Sequence, residues 1–295
     1  MRALEPDETG VARGIYWERF GDGDPTILFV PPWAIVHSRI WKMQVPYLAR
    51  HFRVVVFDPR GNGRSIRPPD PASYSEEEYA EDTLAVMDAS GTERAVVVSL
   101  SMGAQRSLLL ADAEPERVLG LVFVAPAVRL VPAHTARDLY EARFLEELDT
   151  DEGWAKMNAH YWRRDYRGFL QHFFENAFIE PHSTKQIEDA VGWGLETDPE
   201  TLIATALGPR LDEPTTREIA GRLTCPVLVI HGTDDAIRRF AGGKELASIS
   251  GGELMAMPGV GHCPQARKPV AVNLAVREFV ERTRNPREEA LHVSG

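Results

Sequence analysis

The sequence predicts an α/β protein built on a doubly wound, mostly parallel sheet, with an all-helical segment inserted between two strands. Three observations lead there. Up to residue 124, short apolar runs rich in β-branched residues alternate with helix-spaced segments, which is the pattern of successive βαβ units. From 129 to 220 only helical patterns follow one another, and from 226 the strand-type runs resume. The domain reading is a core of 1–128 and 221–295 with a helical cap of 129–220.

In chain order, Val11 to Phe20 alternates loosely and runs into Gly21-Asp22-Gly23-Asp24, which reads as an edge strand and a hairpin turn. Thr26–Val30 is wholly apolar after its first residue and reads as a central strand, stopped by Pro31-Pro32 because proline cannot extend a ladder. Ser38 to Arg50 has helical spacing, with Ile40, Trp41, Val45 and Leu48 on one face. Phe52–Phe57 is the next strand and ends in the glycine turn Asp58-Pro59-Arg60-Gly61-Asn62-Gly63. Ser75-Glu76-Glu77-Glu78 is a capping box that opens a helix to about Ala89. Ala95–Leu100 is a buried strand, Gln105 to Ala111 the start of a helix, and Val118–Val124 a further strand.

The cap opens with a helix from Thr135 to Leu148, followed by Asp151 to Tyr161 and Tyr166 to Phe178. Two more begin at a capped Ser183 and at Asp198-Pro199, an N-cap with proline in the first helical position. This segment is rich in aromatics, most of them packing residues. A few, Trp162 and Phe174 as candidates, are expected to line an apolar pocket together with Trp33 from the loop after Val30; His37 in that loop is a further candidate, read first as structural. Beyond it come strands at Pro226–Ile230 and Gly252–Met257, a helix from Val270 to Arg282 and a polar tail from Asn285.

Composition narrows the function classes. Forty-four acidic residues against 33 basic ones give a net charge of −11 with no lysine or arginine run, which argues against a nucleic-acid groove. The same balance favours a neutral substrate, or one carried by a partner, unless a local basic pocket reverses it. Two cysteines, Cys225 and Cys263, are too few for a disulfide framework. No apolar leader or long apolar run is present, so the expectation is a soluble, cytoplasmic protein without a membrane span. No metal cluster, phosphate loop or dinucleotide fingerprint stands out, and no cofactor is expected.

The chemistry lies at three strand ends, where an open parallel sheet binds its ligands. Ser99-Leu100-Ser101-Met102-Gly103 joins a strand to a helix by an abrupt turn, the context in which a serine hydroxyl is exposed as a nucleophile. Ser-x-Gly after a strand is by itself a common turn. Here, however, an Asp234-Asp235 pair follows a second strand and His262 a third, in the order serine, acid, histidine. A serine hydroxyl needs a base with a pKa near neutrality, and the base needs an acceptor to fix its tautomer. His262, in the glycine loop Gly259-Val260-Gly261, is the candidate base. Asp235 is the candidate acid over Asp234, and the segment from Pro126 to Pro132 offers no competing carboxylate. Among the other histidines, His134, His160, His172 and His182 fall in the cap, His51 at a helix end and His292 in the tail. His231 is expected to make a structural hydrogen bond. The oxyanion donors are expected to be the backbone N–H groups of Met102 and Trp33, the latter because Pro31 and Pro32 have none.

On these residues the sequence resembles the α/β-hydrolase superfamily over nearly its whole length. The matching pieces are Val30-Pro31-Pro32-Trp33, standing where many members have His-Gly; Asp58-Pro59-Arg60-Gly61-Asn62-Gly63-Arg64-Ser65; Ser99-Leu100-Ser101-Met102-Gly103; His231-Gly232-Thr233-Asp234-Asp235; and Gly259-Val260-Gly261-His262. The resemblance implies a serine hydrolase with a helical lid, nucleophile Ser101, acid Asp235, base His262 and donors Met102 and Trp33. The expected activity is cleavage of a carboxylic ester, thioester or lactone of a hydrophobic small molecule through an acyl-serine. The alternatives are a non-hydrolytic cyclase, acyltransferase or cofactor-independent oxygenase using His262 as base, and a silent ligand-binding member.

Overall fold

The computed structural model describes residues 4–132 and 136–284. Among these, eight strands form one sheet: β1 (Glu8–Ala12), β2 (Ile15–Phe20), β3 (Thr26–Val30), β4 (Arg53–Phe57), β5 (Ala95–Leu100), β6 (Val118–Val124), β7 (Val227–Gly232) and β8 (Glu253–Met257). Their order is β1-β2-β4-β3-β5-β6-β7-β8. The pairs β1·β2 and β2·β4 are antiparallel, and every pair from β4 to β8 is parallel. The parallel strands therefore bring the ends of β5, β7 and β8 to one edge.

The helices are α1 (Val45–Leu48), α2 (Glu76–Ala89), α3 (Gly103–Ala113), α4 (Ala136–Glu141), α5 (Ala159–Arg164), α6 (Tyr166–Ala177), α7 (Thr184–Gly194), α8 (Pro199–Leu207), α9 (Glu213–Gly221), α10 (Phe240–Ser250), α11 (Pro264–Arg267) and α12 (Pro269–Arg284). Successive residues of the central strands bury on opposite faces, as a period of two requires. Ile27, Phe29, Val96, Val98, Val122 and Val124 pack with α12 and with helices between β6 and β7. Leu28, Val30, Val97, Leu121 and Phe123 pack with α2, α3 and α10. Covering both faces explains why these strands read as continuous apolar runs.

Several elements differ from expectation. The hairpin turn is at Arg13-Gly14, both at positive φ, and not at Gly21–Asp24. The glycines there mark a reversal but not its partner: β2 pairs with β4, and the segment leads into β3. The helix expected over Ser38–Arg50 breaks into a 3-10 turn at Ser38–Trp41 and the short α1. Pro46 cannot donate back to Lys42, so the helix restarts there. The helix expected over Asp151–Tyr161 is a 3-10 turn at Gly153–Lys156 followed by α5, whose cap is Asn158. Ser183 does not cap α7; its hydroxyl donates to the Glu180 carbonyl at 2.6 Å. Helix α10 was hidden by Gly242-Gly243 in its first turn, since glycine weakens any helical pattern. The expected start at His134 and Thr135, and the tail from Asn285 with His292, lie outside the described residues. No described helix is long and apolar enough to cross a membrane.

The turn after β4 is tied by Asp58. Its carboxylate accepts from the Ser38 hydroxyl at 2.6 Å, the Ser38 N–H at 3.2 Å and the Arg64 N–H at 2.9 Å. Burial alone would raise this carboxyl, but His37, Ser38 and Arg64 outweigh it and hold it at about 2. A lowered folded pKa stabilises above the unfolded value and is lost as pH falls through the folded one. Acid titration should therefore remove about 2 kcal/mol of stability between roughly pH 4 and pH 2 at this group alone. Denaturant unfolding of Asp58→Asn across that range checks it, and an acid slope as steep as that of the native chain counts against it.

Candidate active site

Strand β5 ends in six buried residues, and the chain then turns at Ser101 with φ +53°. A non-glycine residue in the left-handed region is strained and persists only where its surroundings enforce it. Here the Ser101 N–H donates to Val124 O at 2.9 Å, and its carbonyl accepts from Ala127 N at 2.9 Å and Ala104 N at 3.1 Å. Helix α3 begins two residues later at Gly103. A Cβ there would meet Pro31 O at 2.9 Å and the Ser99 Cβ at 3.2 Å, so the elbow requires glycine at that point and a small residue at Ser99.

The loop after β8 carries His262, which is 5% exposed, to this hydroxyl. With Nδ1 protonated, His262 donates to Asp235 Oδ2 at 2.7 Å, and Nε2 accepts the Ser101 hydroxyl at 3.0 Å. Asp235 is fixed from four sides. Oδ1 accepts from the N–H groups of Ile237 and Arg238, both at 2.8 Å. Oδ2 accepts from His262 and also from His231 Nε2 at 2.9 Å. Burial would raise this carboxyl, but the two imidazoles outweigh it and hold it well below the usual carboxylate range. Asp234 is exposed and accepts from the neighbouring Thr233 hydroxyl at 2.6 Å, away from His262.

The N–H groups of Trp33 and Met102 have no acceptor among the described residues, and both residues line the cavity at Ser101. Phe174, Phe173, Ile35 and Cys263 line it too. Burial pushes the Cys263 thiol up, so it remains protonated beside His262. Of the pocket candidates, Trp162 is elsewhere, and His37 has the structural surroundings expected first for it. His37 is buried between Asp58 and Glu196, at 3.5 Å and 3.3 Å, and against Trp193, which gives it a structural place. Trp162 sits one ring behind the cavity, stacked on Phe169 at 4.3 Å and packed on Trp33 at 5.8 Å, with its Nε1 donating to Lys156 O.

Sequence reasoning missed what holds the Trp33 loop. Arg106, 1% exposed, donates from Nη1 to the carbonyls of Pro31 and Pro32 at 2.9 Å and 2.8 Å. Its Nε donates to Glu76 Oε2 at 3.0 Å, and Arg210 donates to Glu76 Oε1 at 2.7 Å. Tyr79 lies flat under the guanidinium at 3.6 Å. An arginine on the helix after the elbow, and an acid in the first turn of α2, read in sequence as ordinary solvated charges.

A serine at a strained strand-to-helix elbow, at the carboxyl edge of a parallel sheet, defines the hydrolase class of α/β proteins. The family model for the alpha/beta hydrolase fold matches residues 25–269, and the chain belongs to that family. The AB hydrolase superfamily protein YisY of Bacillus subtilis is 24% identical, covering 90% of this chain and 94% of its own. The 3-oxoadipate enol-lactonase 2 of Acinetobacter baylyi is 24% identical, covering 89% and 91%. Among solved structures, Est816, described as an N-acyl homoserine lactone degrading enzyme, is 25% identical with TM-score 0.70, covering 94% of this chain and 99% of that one. The esterase EaEST of Exiguobacterium antarcticum superposes with TM-score 0.78 at 18% identity, over 92% and 98%, a likeness of fold alone. Hydrolase-type enzyme activity is what this family membership supports for the chain.

Proposed function

We propose that the chain is a serine hydrolase that cleaves a carboxylic ester, thioester or lactone of a small molecule with a hydrophobic acyl part. The observation that carries this reading is the unbroken hydrogen-bond chain Asp235–His262–Ser101, at 2.7 Å and 3.0 Å. Ser101 Oγ attacks the carbonyl carbon as His262 Nε2 takes its proton. The backbone N–H groups of Met102 and Trp33 hold the oxyanion. The bond to the leaving group then breaks and His262 returns the proton to it. Water, giving a proton to His262, attacks the acyl-serine; the bond to Ser101 Oγ breaks, His262 returns the proton to Oγ, and the acid is released.

The helices between β6 and β7 act in this reading as a cap. The cavity at Ser101 is about 40 Å³, room for about one water molecule at the volume water occupies in the liquid. An acyl group therefore needs more room than this cavity alone offers.

Intact-mass labelling with a fluorophosphonate tests the reading. The native chain should take up one adduct and Ser101→Ala none, with ester turnover lost in parallel. Turnover retained by Ser101→Ala would overturn it in favour of base chemistry by His262 alone.

A further inference from the structure

The Ser101 cavity adjoins a second one of about 120 Å³, and Trp33, Met102, Arg137 and Arg238 line both. Four arginines, Arg129, Arg137, Arg210 and Arg238, line the second cavity, with one acidic residue, Glu141. It adjoins in turn a surface groove of about 510 Å³ that shares Arg129, Glu141 and Arg238 and is of mixed charge, with Asp138, Asp212, Glu213 and Arg239 also lining it. A molecule passing from the groove to Ser101 thus passes the arginines.

The arginines differ in how far they are paired. Arg210 is taken by Glu76 and by the Thr205 carbonyl. Arg137 and Arg238 share Glu141, at 3.3 Å and 3.9 Å, and Arg238 reaches Asp138 only at 3.9 Å. Arg137 is 3% exposed, and its Nε has no hydrogen-bond partner among the described residues. Burial, and the Arg238 charge beside it, lower Arg137 to about 10, so it is still a cation at neutral pH. Asp138 and Asp235 act on Arg137 besides Glu141, and its Nη1 reaches the Ile237 carbonyl at 3.5 Å, but its Nε is left open. An anion in the cavity that meets this Nε stabilises the buried cation. The guanidinium presents its N–H groups as a planar fork that fits a carboxylate.

We infer that Arg137 and Arg238 hold a carboxylate of the substrate, so that the preferred ester or lactone carries a second, ionised carboxyl group on its acyl part. This rests on the hydrolase reading of Ser101. It reverses the expectation from the overall charge of −11, because the local balance at the site is opposite to that of the whole chain. The apolar wall of Phe173, Phe174 and Ile35 takes the methylene portion, and the arginines take the charged end.

The experiment compares 4-nitrophenyl butyrate with the 4-nitrophenyl half-ester of glutarate, which adds a terminal carboxylate to a similar chain. The native enzyme should favour the half-ester in kcat/KM by about tenfold or more, as expected for hydrogen bonds to a charged group. Arg137→Met and Arg238→Gln should each collapse that ratio, while Arg163→Gln, in an exposed pair with Glu200, should leave it alone. A ratio does not depend on how much variant protein is folded. A native ratio at or below one, or a ratio preserved in both arginine variants, overturns the inference. If neither ester is turned over and Ser101 takes up no label, it is the hydrolase reading that has failed. Calorimetric titration of glutarate then decides the arginine site: binding that is lost in Arg137→Met supports it, and equal or absent binding in both chains overturns it.

Discussion

Asp235→Asn lowers kcat by about 10⁴-fold while the chain stays folded, the size of effect that a wrong histidine tautomer produces. The geometry dictates the outcome. Oδ1 of Asp235 accepts from two backbone N–H groups, of Ile237 and Arg238. In the asparagine variant only the amide oxygen can take that position. The NH2 group is then turned toward His262 Nδ1 and His231 Nε2, where the carboxylate had accepted from both. His262 must present an unprotonated Nδ1 to this donor, which places its proton on Nε2, facing Ser101. The base is then unable to take the serine proton. Asp234→Asn, one residue away and exposed, should change kcat by less than about twofold, as a surface change with no catalytic contact. Steady-state kinetics on an activated ester measures both. Equal losses in the two variants would break the assignment of the acid.

Arg106→Leu destabilises the chain by about 3–5 kcal/mol, the cost of removing one partner of a buried ion pair. The side chain is 1% exposed and Glu76 fully buried, so solvent cannot compensate either loss. Removing the guanidinium leaves the carbonyls of Pro31 and Pro32 without their donor and Glu76 with Arg210 alone. Leucine also lacks the planar cation that lies over the Tyr79 ring. Because those two carbonyls belong to the loop carrying the Trp33 N–H, kcat should fall further than the folded fraction does. Urea unfolding followed by circular dichroism gives the first number. A loss under about 1 kcal/mol, within the range of an exposed pair, would show that this network is not needed.

The framework was legible because the physics that made it is local. A buried parallel strand must be apolar on both faces, so β3, β5 and β6 announced themselves with nearly their observed limits. Ser75, Asp198 and the glycine of the elbow act within a few residues of where they stand, and each is found in that place. Ser101, Asp235 and His262 could be proposed from sequence because each follows a strand end, and the sheet brings the strand ends together. Failures came where the partner is remote. Nothing near Gly21–Asp24 says that β2 lies beside β4. Arg106 and Glu76 are thirty residues apart and become a pair only when α2 and α3 pack. Trp162 and Phe174 were equivalent aromatics in one helical segment. The fold set one behind Trp33 and the other on the cavity wall. A formal charge summed over the chain could not show that arginines from β6–α4 and from the loop after β7 converge.

Trp33 belongs to two parts of the molecule at once. It follows β3 and is one of the residues lining the cavity at Ser101, while its indole Nε1 donates to the Thr205 hydroxyl of α8 at 2.7 Å. Thr205 in turn donates to Leu202 O, so the bond is anchored inside that helix. The Trp33 loop and α8 are thus interlocked, and on the function proposed so are the oxyanion donor and the cap. Swinging α8 outward either breaks this bond or drags the donor off its mark, and in both cases a carbonyl arriving at Ser101 finds the donor displaced. On the function proposed, any opening that moves α8 disarms the enzyme, and re-seating one indole on one hydroxyl rearms it.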